Sequence, residues 1–148
     1  MWTPDITVAA ICEQHGRFLL VEERSKSSNE VVFNQPCGHL EQGESIIAGA
    51  IRETLEETCR HFTPAALIGL YRLQAANGKT YIRYTFCGAI SEEDPNAILD
   101  SDIIATHWLT AQEIRASAAL RSPIVANCID DYLSGVRYPL DILKELYT

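Results

Sequence analysis

The stretch Gly38-His39-Leu40-Glu41-Gln42-Gly43-Glu44, followed by Arg52-Glu53 and Glu56-Glu57, decides the fold and the chemistry of this chain. On a helix, residues three and four apart are neighbours, so Glu53, Glu56 and Glu57 share one face. The opposite face collects apolar residues, namely Ile47, Ala48, Ile51 and Leu55. Like charges at this spacing each destabilise a helix by roughly 0.2–0.5 kcal/mol, so the cluster is unfavourable unless it binds a cation. The pattern therefore predicts a site for an oxygen-preferring ion, Mg²⁺ or Mn²⁺.

Glutamate runs on helices are usually solvated acidic faces, and Glu56-Glu57 alone would favour that interpretation. The fixed offsets from Gly38, Glu44 and Arg52 favour a metal site instead. A glycine lets the backbone approach a metal closely, and a guanidinium can hold a carboxylate such as that of Glu44 through two hydrogen bonds. Metal ions bridged by carboxylates can neutralise phosphate oxygens and activate water, which is what hydrolysis of a diphosphate requires.

The offsets resemble the signature of the Nudix hydrolases: a Gly, five residues, a Glu, seven residues, Arg-Glu, two residues, and Glu-Glu. This resemblance implies an α/β fold, an α/β/α sandwich with a mixed sheet. It also implies that the backbone carbonyl of Gly38 and the side chains of Glu53, Glu56 and Glu57 bind the metal. Glu53 and Glu56 are the candidates within the signature for activating the attacking water.

Three residues depart from the signature at and after the helix. Thr54 and Arg60 stand where aliphatic residues are usual, and Cys59 replaces the glycine that ends the helix. A glycine at a helix end adopts the left-handed conformation without a Cβ clash. We therefore expect either a different helix exit at Cys59 or a strain of about 1–2 kcal/mol there.

Four segments, of which the first overlaps the start of the signature and the others lie outside it, resemble the NudJ-type bacterial phosphatases, a subgroup of that family. They are Phe33 to Glu41, Asp100 to Ile103, Leu120 to Pro123 and Ser134 to Leu140. Members of this subgroup remove phosphate from nucleoside di- and triphosphates, and from the pyrophosphates of thiamine and of its hydroxymethylpyrimidine precursor. The resemblance implies substrates of this kind, which the spacing of the residues alone does not.

The composition limits the classes of partner. With 148 residues and 47% hydrophobic composition, we expect a single domain over residues 1–148. A formal net charge of −8 argues against binding to nucleic-acid polymers or anionic membranes, and favours a small phosphorylated substrate that brings its own cations. No apolar run approaches the roughly 20 residues of a membrane span, and the first residues do not resemble a signal peptide, so a cytoplasmic location is expected.

The five cysteines are an odd number and are widely scattered, which is not a disulfide framework. Cys37 with His39 and Cys59 with His61 could bind zinc, but their spacing fits no common zinc pattern. Cysteines packed as small apolar residues are the more frequent case.

The remaining chain alternates strand and helix signals. A hairpin is predicted from Ile6–Cys12 and Phe18–Glu22, and a polar loop over Arg24–Glu30. Asn77-Gly78 predicts a second hairpin between the strands Ala66–Leu73 and Thr80–Ile90, and Thr106–Leu109 is a further strand. A capping box at Thr110-Ala111-Gln112-Glu113 and the pair Ser122-Pro123 predict two later helices, the second ending near Gly135.

Candidate site residues outside the signature carry weaker signals. Asp102, with Asp100 as its neighbour, could supply a further metal ligand or the general base, but a solvated turn is equally consistent with both. The candidates for substrate binding are Arg24, Asn34, His39 and Arg83. Isolated basic residues are usually surface charges, and polar residues beside a glycine often only stabilise a turn.

Three functions remain open from the sequence. The leading one is a Mg²⁺-dependent hydrolase of diphosphate linkages. A non-catalytic Nudix-fold module that binds a nucleotide is the alternative from another class, but such modules commonly lose the glutamates that are all present here. A nucleoside diphosphate-sugar hydrolase needs the same signature. The oligomeric state stays undetermined.

Overall fold

The computed structural model describes the whole chain, from Met1 to Thr148. It contains eight strands and three α-helices. In chain order these are β1 (Asp5–Ile11), β2 (Glu13–Gln14), β3 (Arg17–Arg24), β4 (Val31–Asn34), β5 (Cys37–His39), α1 (Ile46–Thr58), β6 (Arg60–Gln74), β7 (Thr80–Glu93), β8 (Ile103–Thr110), α2 (Ala111–Ala116) and α3 (Ile124–Leu133).

The first sheet is mixed, in the order β5-β1-β7-β6. Strands β1 and β7 are parallel, while β1 with β5 and β6 with β7 are antiparallel. The hairpin of β6 and β7 confirms the prediction from Asn77-Gly78, although both strands are longer than expected. Gly78 lies in the turn with φ +86°, a conformation in which a side chain would be strained.

The second sheet is antiparallel and places β3 between β4 and β8, with β2 at its edge. The predicted hairpin between β1 and β3 is therefore wrong: only Glu13-Gln14 pairs back, with Arg17-Phe18. The physical reason is burial on both faces. Val8 to Cys12 and Phe18 to Val21 are almost completely buried, so each run forms the centre of its own sheet.

Helices cover the sheets on two sides. Ala50 of α1 packs with Val8, Leu19, Leu67 and Phe86 in one buried cluster. A second buried cluster joins the sheets to α2 and α3, and it contains Ile11, Phe18, Leu20, Ile68, Ile114, Val125, Cys128 and Ile129. The layered arrangement confirms the expected α/β sandwich with a mixed sheet.

Helix α1 begins and ends as its sequence suggests. The Ser45 hydroxyl accepts a hydrogen bond from the Ala48 N–H at 3.0 Å, which caps the first turn. At the other end Cys59 is left-handed, with φ 58° and ψ 24°, and its N–H donates to the Leu55 carbonyl. The helix therefore exits through the geometry that glycine usually provides, with a cysteine in its place.

The burial of α1 differs from the predicted two faces. Ala48 is exposed, whereas Thr54 and Glu57 are buried. Thr54 can be buried because its hydroxyl donates to the Ala50 carbonyl at 2.8 Å. Glu57 is buried because the helix packs on a second side, against the segment before Gly38, as described below.

The C-terminal elements follow their predicted signals. Thr110 and Glu113 form both hydrogen bonds of a capping box at α2. Helix α3 begins at Ile124, one residue later than predicted, with Pro123 and not Ser122 at the N-cap position, and Gly135 follows its end with φ +87°. The backbone of Tyr138 then pairs with that of Leu67, which fixes the tail to β6. None of the helices has the length and apolar character needed to cross a membrane.

Candidate active site

A cleft of about 750 Å³ opens between the two sheets and the start of α3. It is lined by eight of the nine residues predicted for the site: Arg24, Asn34, Gly38, His39, Glu53, Glu57, Arg83 and Asp102. Glu56, the ninth, does not line it; its side chain is half-exposed and paired with Arg52. Residues widely separated in the sequence thus meet in one concave surface.

The floor of the cleft is built by adjacent strands of the mixed sheet. Thr7 on β1 is paired in register with His39 on β5 and with Arg83 on β7. Residues opposite each other in a sheet direct their side chains to the same face, so these three side chains form one row. The sheet therefore brings His39 and Arg83 to the cleft on either side of Thr7.

Arg52 holds the acidic cluster together. Its Nε and Nη2 donate to the two carboxylate oxygens of Glu44 at 2.8 and 2.7 Å, and its Nη1 donates to Glu53 at 2.9 Å and to Glu56 at 3.1 Å. The hydrogen bond from Arg52 lowers the pKa of Glu44. The predicted orienting role toward Glu44 is confirmed, and the same guanidinium also holds two of the proposed metal ligands.

Gly38 lies directly against Glu53. A Cβ atom added at Gly38 would stand 2.0 to 2.3 Å from the carboxylate atoms of Glu53, a distance that real contacts do not reach. Only glycine lets the β5 backbone and this carboxylate share the space. Burial raises the pKa of Glu53, while Arg52 opposes that rise. The predicted approach of this backbone to a metal stays a prediction; what the structure shows is the approach of Glu53 to Gly38.

Glu57 is the most deeply buried carboxylate of the cluster, with 7% of its surface exposed. One of its oxygens accepts a hydrogen bond from the Cys37 N–H at 2.8 Å, which connects α1 to the strand that carries Gly38. Burial raises the pKa of Glu57 to about 9, and the charges of Glu23, Glu53 and Asp100 act in the same direction. A carboxylate in this position gains most from a nearby cation.

The donor set fits a hard divalent cation. The Gly38 backbone and the Glu53 and Glu57 carboxylates meet at the wall of the cleft, and Glu56 lies in the last turn of the same helix. All these donors are oxygens, which suit Mg²⁺ or Mn²⁺. No three His, Cys, Asp or Glu side chains converge into a closed metal cage, since Arg52 draws Glu53 and Glu56 toward itself.

The zinc alternative finds no support in the side-chain contacts. His39 pairs with Asp5 at 3.0 Å and His61 pairs with Asp94 at 2.8 Å. Each histidine thus has an aspartate as its hydrogen-bond partner, and all five cysteines are free thiols.

The two loop aspartates occupy different environments. Asp102 forms an ion pair with Lys26 at 3.1 Å and is half-exposed. The Asp100 N–H donates to the Glu56 carbonyl at 2.8 Å, which ties the turn to the end of α1. After burial, the charge of Asp100 is among the factors that raise the pKa of Glu53 and Glu57. The contacts therefore bring Asp100, more than the predicted Asp102, into the electrostatic field of the acidic cluster.

The predicted substrate-binding residues fall into two groups. Arg24 and His39 are exposed at the mouth of the cleft, where Arg24 donates to the Asn29 carbonyl at 3.1 Å. Asn34 and Arg83 are buried at its floor, with 9% and 4% of their surfaces exposed. The Asn34 side-chain oxygen and the Arg83 Nε have no hydrogen-bond partner in the protein. Buried polar atoms without a partner are uncommon, and they often mark a functional site.

Sequence reasoning missed two residues of this site. Gln35 is buried beneath the cleft, and Glu23 lines it. Burial raises the pKa of Glu23, and the Arg121 guanidinium at 3.6 Å opposes the shift. Gln35 lies between the end of β4 at Asn34 and Pro36, which is no signal by itself. Glu23 belongs to the run Glu22-Glu23-Arg24 at the end of β3, and such a run of charges looks like an ordinary exposed strand end.

Comparison with known proteins places this geometry in a family. The NUDIX domain model matches residues 1–128. The chain belongs to the Nudix hydrolases. This Nudix hydrolase is 37% identical over 145 residues to the phosphatase NudJ of Escherichia coli strain K12, an alignment that covers 98% of the chain and 94% of that relative. The signature and the segments outside it thus resemble the same subgroup.

Solved structures of Nudix hydrolases share the fold of this chain. A NUDIX hydrolase from Nitrosomonas europaea is 48% identical to this Nudix hydrolase, with a TM-score of 0.93 and coverage of 97% of this chain and 98% of that one. A MutT NUDIX hydrolase from Burkholderia pseudomallei shares the fold at a TM-score of 0.73 and 20% identity, covering 88% of this chain and 98% of its own. The family and the relatives establish a hydrolase that acts on phosphate-containing substrates.

Proposed function

We propose that this Nudix hydrolase uses Mg²⁺ or Mn²⁺ to cleave phosphate or diphosphate linkages in nucleoside di- and triphosphates and in small organic pyrophosphates. Thiamine pyrophosphate and hydroxymethylpyrimidine pyrophosphate are the organic substrates that we expect. The observation that carries the proposal is the meeting of Gly38, Glu53 and Glu57 at the wall of a 750 Å³ cleft whose floor holds a buried cationic side chain, Arg83.

In this proposal the metal is held by the Gly38 carbonyl and by Glu53, Glu56 and Glu57. When bound, it supplies charge neutralisation at the phosphate oxygens and acidifies a water. Arg52 keeps the carboxylates in reach of one another, because its hydrogen bonds to Glu44 fix the guanidinium to the turn before α1.

Proton transfer is proposed for a carboxylate beside the cleft. The candidates are Glu53 and Glu56 on α1 and the loop carboxylates Asp102 and Asp100. Asp102 has the weaker geometric case, since Lys26 holds its carboxylate at 3.1 Å on the half-exposed side of the loop. A general base in this position contributes typically 10²–10⁴-fold to the rate.

Substrate binding is proposed for Arg24, Asn34, His39 and Arg83. The net charge of −8 makes the two arginines of this set important, because an anionic substrate approaches an acidic protein. His39 and Tyr81 line the cleft with ring centroids 6.4 Å apart and planes tilted by 59°, so a flat heterocycle would stack on one of the two rings and not between them.

We further propose one domain over residues 1–148 and a cytoplasmic location. The pairing of Tyr138 with Leu67 supports the first, because the tail joins the same sheet as the core strands. The five free thiols support the second, since a reducing compartment keeps thiols free.

A substrate panel tests the proposed function. Phosphate and pyrophosphate release is measured from nucleoside di- and triphosphates, thiamine pyrophosphate and nucleoside diphosphate sugars, with Mg²⁺ and with a chelator. We expect turnover of the first three classes with Mg²⁺, none with chelator, and a loss of about 10²-fold or more in Glu53→Gln. Glu92→Gln, an exposed glutamate outside the cleft, is the control.

The same panel separates the alternatives. Preferred cleavage of the nucleoside diphosphate sugars would favour the sugar hydrolase. Tight nucleotide binding without hydrolysis of any member would favour a non-catalytic binding module and contradict the proposal.

A further inference from the structure

The side chain of Gln35 has a single possible orientation. Its Nε2 donates to the Val125 carbonyl at 2.8 Å, and its Oε1 accepts from Nη2 of Arg83 at 2.8 Å. A carbonyl only accepts and a guanidinium only donates, so the amide cannot be flipped without losing both bonds. Gln35 is 1% exposed and lies outside the cleft lining, so its polar atoms form hydrogen bonds only within the protein interior.

Arg83 depends on this amide. The hydrogen bond from Nη2 to Gln35 is the only one that its side chain makes with the protein, and its buried Nε has no partner. The charge of Arg83 acts on the carboxylate of Glu23, but Glu23 forms its ion pair with Arg121, at 3.6 Å. Arg83 is thus a buried cation, 4% exposed, without a carboxylate hydrogen-bonded to it, on the floor of the cleft.

A buried charge without a paired opposite charge costs several kcal/mol, and a bound anion would offset that cost. A phosphate oxygen is the anion that the proposed substrates offer. Arginine suits this task because its planar fork keeps several N–H donors in fixed directions once one of them is anchored.

We propose that Gln35 is a positioning residue that anchors the Arg83 guanidinium to α3, so that the free N–H groups of Arg83 hold an anionic phosphate oxygen of the substrate. This inference rests on the proposed function for the identity of the substrate. It adds a route by which the C-terminal helix shapes the cleft: the Val125 carbonyl of α3 holds Gln35, and Gln35 holds Arg83.

A double-mutant cycle tests the proposal. Gln35→Met, Arg83→Met and the double variant are compared in KM and kcat for a nucleoside diphosphate at saturating Mg²⁺. We expect Arg83→Met to raise KM by about 10- to 100-fold and Gln35→Met by about tenfold, with kcat changed much less. The double variant should match Arg83→Met within about twofold, since Gln35 acts only through Arg83. Multiplied effects in the double variant would overturn the positioning role.

Gln35→Glu separates positioning from space filling. The shape of the side chain is kept, but its charge would be compensated by the guanidinium within the protein, and one oxygen would face the Val125 carbonyl. We expect KM to rise at least as much as in Gln35→Met. An unchanged KM would show that only the volume of Gln35 matters. Ile114→Val, a buried substitution in α2, is the control for general destabilisation.

Direct binding of inorganic pyrophosphate with Mg²⁺, measured by calorimetry, tests the anion and does not depend on turnover. We expect binding to weaken about tenfold or more in both Arg83→Met and Gln35→Met. If pyrophosphate binds equally well to these variants while KM for nucleotides rises, Arg83 reads the organic group and the phosphate assignment is wrong. A wild-type protein that binds pyrophosphate but hydrolyses no substrate would contradict the proposed function alone.

Discussion

Glu57→Gln should stabilise the metal-free protein and abolish its activity, two effects of opposite sign from one substitution. The carboxylate is 7% exposed and its hydrogen-bonded neighbour in the protein is the Cys37 N–H at 2.8 Å. Burial raises its pKa from 4.5 to about 9. The folded protein therefore binds a proton at Glu57 over a pH range in which the unfolded chain does not.

The sign and size of the effect follow from that range. Since the folded state binds more protons than the unfolded state between pH 4.5 and 9, the contribution of Glu57 to stability is fully present below pH 4.5 and falls as pH rises toward 9. At about 1.4 kcal/mol per pH unit, the loss between pH 4.5 and 7 is about 3 kcal/mol. Glutamine does not titrate and can keep the acceptor for Cys37, so the variant should escape most of this loss.

Urea unfolding in the presence of a chelator, at pH 5 and pH 8, measures the first effect. The variant should gain on the wild type as pH rises, whereas Glu92→Gln should follow the wild type at both values. With Mg²⁺ the order should reverse, because a bound cation favours the ionised carboxylate, and Mg²⁺ should stabilise the wild type more than the variant. Turnover should fall by about 10²-fold or more.

Two outcomes would refute this reasoning. A folded variant with near-normal turnover at saturating Mg²⁺ would remove Glu57 from the metal ligands. A metal-free variant less stable than the wild type at pH 8 would show that the ionised carboxylate is already well paired in the folded protein.

Three further predictions concern Cys59 at the end of α1, the loop aspartates Asp100 and Asp102, and the helix cap at Thr110. Cys59→Gly should stabilise the protein by about 1 kcal/mol and leave activity unchanged, because Cys59 is left-handed; lower stability in thermal unfolding would mean that its thiol packing outweighs the strain. Asp100→Asn should reduce kcat by 10²-fold or more and Asp102→Asn by less than tenfold, if the loop carboxylate that acts is the one coupled to the acidic cluster; the reverse order in steady-state kinetics would return the role to Asp102. Thr110→Ala should cost about 1 kcal/mol through loss of the capping box with Glu113, with no change in KM; a difference in urea unfolding below about 0.3 kcal/mol would show the cap to be unimportant.

Local signals made much of the fold predictable. The capping box at Thr110, the turn at Asn77-Gly78 and the stop at Gly135 each depend on neighbours within a few residues, and each is present in the structure. The predicted cap at Ser122 is wrong, because Pro123 occupies the N-cap position of α3. Helical spacing also places Glu53, Glu56 and Glu57 close along α1, but it does not predict that Glu56 pairs with Arg52 outside the cleft lining.

Strand partners were not predictable in the same way. The run Val8 to Cys12 and the run Phe18 to Val21 are joined by a short polar turn, which locally favours a hairpin. Their pairing is decided by residues far along the chain, β7 for the first and β8 for the second. The residues that form the turn give no indication of either partner strand.

The floor of the cleft was only partly predictable, for a related reason. Arg83 looks like an isolated base in a strand, and its burial follows from the register that sets it beside Thr7. The orientation of Gln35 is fixed by its hydrogen bond to the Val125 carbonyl, 90 residues later in the chain. Hydrogen bonds over such separations depend on the tertiary packing and cannot be inferred from spacing.

The glutamates of the acidic cluster differ in their partners and in the direction of their pKa shifts. Glu44 has two hydrogen bonds from Arg52 and a lowered pKa, so it is already satisfied as an anion within the protein. Glu53 is buried against Gly38, which raises its pKa, and it accepts a hydrogen bond from the same guanidinium, which opposes that rise. Glu57 has no cationic partner, and its burial raises its pKa to about 9. Arg52 thus compensates the acidic cluster only in part, and the carboxylate it does not reach is the one for which a divalent cation makes the largest difference.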